Sequence, residues 1–158
     1  MSATPNSVRD ARPSGAAELA CYLGVAPLVL CLLGVGLLPE VGARELAQRV
    51  ALDWGAVLLG ACGAVHWGLA LAGRLPWDTM RIAAAVLAAA CAAAAAVIGG
   101  QHGLALLVVG FGGFWLYEHR VLGAALPPEW LALRRNLTLA SCMLLALTMF
   151  ASEGAGLR

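Results

Sequence analysis

Lysine is absent from this chain, and all ten basic residues are arginine. Charge of either sign is scarce, at 12% of residues where an average soluble domain carries about a quarter. The net charge is only +1, so no electrostatic argument favours nucleic acid, and no nucleic-acid partner is expected. Clustered thiols are missing as well. Cys21, Cys31, Cys62, Cys91 and Cys142 are scattered through apolar stretches with no CxxC. A disulfide framework or a zinc site needs grouped thiols, so no metal is expected and these cysteines read as small packing residues. There is no Walker loop, GxSxG, HExxH or pair of carboxylates at useful spacing. Those absences argue against the common hydrolase classes and lean away from an enzyme.

What is present is apolar surface: 61% of residues are hydrophobic, and the mean hydropathy is +0.84. A short chain leaves much of its surface outside its own core, so an excess of this size implies lipid as solvent. The runs divide into about five spans, 19–38, 51–73, 82–98, 104–117 and 137–152. The first could pass for a signal peptide with Val41-Gly42-Ala43 as its cleavage site, but its 20 uncharged residues exceed a signal core and further spans follow. Between the spans the sequence predicts a polar loop at Pro39–Val50, a second loop at Arg74–Arg81 and a tight glycine turn at 99–103. The longest loop is expected at Glu118–Asn136, with Pro127-Pro128 opening a short interfacial helix over 129–135. The third and fourth spans are the thinnest, and a re-entrant hairpin is the competing arrangement for them. The expected architecture is therefore an all-α integral membrane bundle: a flexible polar tail (1–18), a transmembrane domain (19–152) and a stub (153–158).

Arginine placement orients that bundle. Arg9, Arg12, Arg74, Arg81, Arg120, Arg134 and Arg135 fall on one side and Arg44, Arg49 and Arg158 on the other, which predicts an N-terminus inside and a C-terminus outside. Within the second span, Ala56, Gly60, Ala64, Gly68 and Ala72 put a small residue at every fourth position. Lipid is as apolar as leucine, so membrane helices associate through such close-approach faces, and this stripe is the expected helix contact. Gly68→Leu should then damage packing.

The candidate for chemistry is His66, eight residues before Arg74 and so about 12 Å below that loop. An ionisable residue at such depth is a functional candidate by default. Imidazole can bind a metal or haem, relay a proton or hydrogen-bond a quinone, and its plain alternative is a polar tie between helices. Trp67 follows it, facing about 100° away around the helix. Glu118 and His119 close the fourth span on the side toward which His66 leans, where tilted packing would allow contact. Otherwise Glu118 reads as a solvated helix end. Arg134 and Arg135, with Trp130, read as anchors at the membrane surface. A bis-histidine haem would need His102 or His119 opposite His66, and neither is well placed.

Gly63-Ala64-Val65-His66-Trp67-Gly68-Leu69-Ala70-Leu71 resembles the signature of the domain-of-unknown-function family 3429, which includes bacterial membrane proteins and the eukaryotic transmembrane protein 69. Leu23-Gly24-Val25-Ala26-Pro27 is similar to that family's first-helix start. Pro128-Glu129-Trp130-Leu131-Ala132-Leu133-Arg134, with Leu137-Thr138, is similar to its last loop and helix. Glu118 stands where the family pattern has aspartate. The resemblance covers most of 19–150 and implies about five membrane helices and no assigned activity. It makes His66, Trp67 and Gly68 the first residues to test; Glu118 and Arg134 join the candidates from their own positions in the sequence.

The expected function is a non-enzymatic accessory, scaffold or assembly component of a cell inner membrane, or of the mitochondrial one in a eukaryote. It would be surrounded by lipid, with a membrane-protein partner or a second copy of itself, and would carry no cofactor. A quinone- or haem-associated redox protein using His66 is the first alternative and a small carrier the second.

Overall fold

The computed structural model describes residues 15–73, 76–122 and 128–156. The tail through residue 14, Arg74, Pro127 and Arg158, each part of the sequence reading, lie outside the described residues. The described chain is helical almost throughout: α1 (Gly15–Leu37), α2 (Val41–Leu71), α3 (Thr79–Ile98), α4 (Gly100–Leu122) and α5 (Pro128–Gly156). α1, α2, α3 and α5 have the length and apolar composition to cross a membrane. α4 equals α1 at 23 residues. Its glycines, Gln101, His102 and the terminal Glu118-His119-Arg120 make it less apolar.

Several boundaries differ from the sequence reading. The polar loop at Pro39–Val50 is reduced to three residues, because Val41–Val50 extends α2 by almost three turns. Its charges are compatible with a helix that projects past the apolar core, and Arg49 pairs with Asp53 one turn on at 3.5 Å. The glycine turn at 99–103 shrinks to Gly99 alone, with φ +69 there and φ +54 at Gly100, a left-handed backbone that glycine adopts without strain. The long loop at 118–136 is consumed from both ends. α4 runs on to Leu122 and α5 begins at Pro128 as one continuous helix, not as a separate surface helix. A first-turn proline suits that start, since its missing N–H is one the helix leaves unpaired anyway. α3 and α4 are both helices of about 30 Å or more at 1.5 Å per residue, joined at Gly99.

Each helix packs on the next and α1 packs on α5, closing a ring, while α2 also reaches α4 and α5 and so touches all four others. The buried stripes follow helical spacing: Leu52, Gly55, Leu59, Gly63 and His66 on α2; Ala85, Ala88, Ala92 and Ala95 on α3; Leu104, Leu107, Phe111, Phe114 and Glu118 on α4. On α1, Pro27 removes a backbone donor in mid-helix. In that same turn the Trp54 indole N–H of α2 donates to the Gly24 carbonyl at 2.8 Å, tying α2 to α1.

Glycine does bring the helices close, on a different face from the one expected. A Cβ on Gly63 would stand 2.8 Å from the Ala85 carbonyl oxygen of α3. One on Gly103 would meet the Ala95 carbonyl oxygen and Leu52 at 2.5 Å, and one on Gly110 would meet Cys91 and Leu59 at 2.8 Å. Gly60 and Gly68 have nothing within 4 Å of that position, and Ala64, Gly68 and Ala72 are exposed. The later part of the stripe, 64–68–72, therefore looks outward, while Ala56 still packs partly against the core. The contact runs one residue earlier, along 55–59–63, a rotation of about 100°.

Candidate functional site

Three ionisable side chains from three helices meet inside the bundle. His66 lies five residues before the end of α2, Glu118 four before the end of α4, and Arg134 six after the start of α5. That puts all three about 6–9 Å in from the same end of the bundle. Each continues a buried stripe: His66 follows Gly63, Glu118 follows Phe114, and Arg134 precedes Thr138, Ser141 and Leu145 by helical steps. Their side chains are only 3%, 6% and 12% exposed.

The geometry satisfies the carboxylate from two directions. Arg134 donates from Nη2 to both Glu118 oxygens at 3.1 and 3.0 Å and from Nε to Oε2 at 3.2 Å, a forked pairing. His66 Nε2 lies 2.9 Å from Glu118 Oε1. A carboxylate paired with a guanidinium only accepts, so Nε2 carries the proton of this bond. In a neutral ring Nδ1 is then a bare acceptor, and it is buried with no partner among the described residues. Arg134 Nη1 donates onward to the Cys62 thiol at 2.9 Å. Phe114 meets the imidazole edge-on at 5.2 Å and Tyr117 lies 6.2 Å from it, walling the ring with aromatic surface.

Two hollows adjoin the cluster. One, of about 10 Å³, is lined by His66, Trp67, Pro76, Asp78 and Arg81 at the α2–α3 connection. It has room for roughly one water molecule. Arg81 Nε and the Tyr117 hydroxyl, like His66 Nδ1, are buried there or nearby without partners among the described residues. The other is a crevice of about 240 Å³ between α1, α2 and α5, with Phe111 of α4 behind it and Cys62, Arg134, Thr138 and Ser141 in its wall.

Of the residues singled out from sequence, His66, Glu118 and Arg134 converge, and Trp67 and Gly68 do not. Trp67 is 46% exposed on the outer surface, and Gly68 is exposed beside it. Glu118 is a buried acceptor, so of its two readings the contact with His66 holds and the solvated helix end does not; Arg134 turns into the bundle where a surface anchor was expected, and Arg135 is exposed. The cause is mutual, since burying either charge alone would be costly and each supplies the other's counter-ion. His119 points away from His66 and stacks on Trp115 at 5.4 Å, while His102 is exposed in the first turn of α4 at the opposite end. No second imidazole therefore faces His66, and the hollow beside it is far smaller than a porphyrin. Cys62 was read as packing alone. Its signal was its place one turn before His66, on the same face. Tyr117 and Arg81 carried no signal without the fold that brings them near.

A family model described as "Protein of unknown function (DUF3429)" matches residues 14–150. No curated protein and no solved structure matches the chain.

Proposed function

This chain belongs to the DUF3429 family, and from that premise we propose that it is a non-enzymatic accessory or assembly component of an inner membrane. Its five helices would cross with the N-terminus inside and the C-terminus outside, and the His66–Glu118–Arg134 cluster would act as the clasp that fixes α2, α4 and α5 against one another. The supporting observation is that the buried acid and base neutralise each other. Glu118 takes the forked guanidinium of Arg134, and His66 adds a third hydrogen bond. A carrier needs charged groups that change partners along a path. Among the described residues the buried ionisable groups are concentrated at one end and bound to one another.

The clasp reading makes a distinctive demand on a double replacement. Glu118→Leu with Arg134→Leu removes both charges together, which is often neutral where removal of one is not. The double variant should fold, melt close to wild type, and retain the membrane proteins that cross-link to the wild-type chain in native membranes. A double variant that folds and yet loses its cross-linked partners would assign the cluster a chemical role instead of a structural one. A wild-type chain that cross-links to no membrane protein, including itself, would sink the accessory reading.

A further inference from the structure

The crevice between α1, α2 and α5 has a composition that the clasp alone does not account for. It runs along α5 from Trp130 to Ser141, about 16 Å of helix. Its rim is apolar, with Ala20 of α1 and Ala61 and Val65 of α2 exposed. Its inner wall is mostly apolar, with Val25, Leu58, Phe111, Leu133 and Leu137, and a few polar residues are set into it: Arg134 and Cys62 at one level, then Thr138 and Ser141 one and two turns on. From these features we infer that the crevice is a binding site for a neutral lipid with a carbonyl-bearing head and an apolar tail, the prenylquinone class.

Charge selects that occupant. Among the described residues, Arg134 is the one charged side chain lining the crevice, and Glu118 already neutralises it. A phospholipid phosphate would need an uncompensated cation. A carbonyl needs only a hydrogen-bond donor, and Arg134 Nη1 spends one N–H on Cys62 and has a second without a partner among the described residues. The Thr138 and Ser141 hydroxyls extend the same neutral wall, and the apolar rim suits the tail. A second observation points the same way. Behind the crevice wall, Arg134 and His66 both donate to Glu118, and His66 lines the water-sized hollow at the α2–α3 connection, beside Asp78 and Arg81. With Glu118 satisfied from both sides, no uncompensated charge stands behind the crevice wall, which suits a neutral head over a phosphate.

The inference moves the quinone alternative from His66 to the crevice and is independent of the clasp, so the two fail separately. The test is a titration of the detergent-purified full chain with decylubiquinone, followed by native mass spectrometry. Wild type should take up one quinone per chain. Ala61→Phe, which fills the crevice from its exposed rim, should weaken binding at least about tenfold. Thr138→Val, nearly isosteric, should weaken it about threefold to tenfold while leaving the fold intact. Ala64→Phe, on an exposed position outside the crevice, should bind like wild type. Quinone binding unaffected by both Ala61→Phe and Thr138→Val would overturn the assignment. So would one-to-one binding of phosphatidylglycerol that excludes quinone, or a folded wild type that takes up no quinone.

Discussion

Within the His66–Glu118–Arg134 cluster the three residues are not equivalent. Glu118 is its centre, since both cations or donors bond to it and neither bonds to the other. Glu118→Ala strands a buried guanidinium, and Arg134→Ala strands a buried carboxylate. Each is expected to destabilise by about 3–5 kcal/mol, the cost typical of breaking a buried pair from one side. His66→Phe removes a single hydrogen bond and an already orphaned Nδ1, and keeps an aromatic ring against Phe114 and Tyr117. Its expected cost is about 1 kcal/mol, within the range of interhelical polar contacts in membranes. Unfolding midpoints in SDS titrations from mixed micelles should therefore rank His66→Phe well above both charge deletions. Equal losses for all three would mean that the imidazole supports the cluster as strongly as the ion pair does. Arg134→Lys should fall between, because an ammonium cannot fork across two carboxylate oxygens.

Helix contacts reverse one expectation from sequence, and the reversal is measurable. Gly63→Leu drives a side chain into the α3 backbone at Ala85 and should cost at least about 1–3 kcal/mol, as overpacking does. Gly68→Leu meets open space, so its thermal midpoint in detergent should stay within a degree or two of wild type or rise, given that glycine is a poor helix former by about 1 kcal/mol. If Gly68→Leu is the more damaging variant, the outward stripe is covered by something outside this chain, such as a partner or a second copy. The sequence made the helix type and number legible, because long uncharged runs admit few other structures in lipid. It misplaced the packing face because small residues recur on every side of an alanine-rich helix. The residue that could have resolved the ambiguity is His66: an ionisable side chain must face the interior, and Leu52, Gly55, Leu59 and Gly63 share its face. The same logic applied to Glu118 and Arg134 puts each on the buried stripe of its own helix. What could not be read is that the three stripes align at one level, because that depends on α4 continuing past Tyr117 and α5 starting at Pro128.

At the level of the whole molecule, the ends of the bundle differ. One end carries the buried ion cluster, the small hollow and the crevice mouth near Trp130. The other carries a lighter tie, Gln101 of α4 donating to Ser152 of α5 at 3.2 Å. α2 projects beyond the apolar core there, with Arg49 and Asp53 paired on its exposed face. Consecutive helices joined by short connections and packed side by side run antiparallel, so if α1, α2, α3 and α5 cross, α4 crosses with them and the termini lie on opposite sides. The proposed orientation, from the arginine bias, predicts that the cluster end, which holds Arg81, Arg120, Arg134 and Arg135, faces inside. A bacterial host expressing the chain with fusions at position 99 and after position 158 tests both points. Alkaline phosphatase should be active at both junctions and a cytoplasmic fluorescent reporter dark, while a fusion at position 125 should give the opposite pair. Phosphatase activity at 99 with fluorescence after 158 would mean that α4 or α5 does not cross. A full inversion of all three signals would place the ion cluster and the crevice mouth on the outer side, where the hollow beside His66 would open toward the opposite aqueous phase.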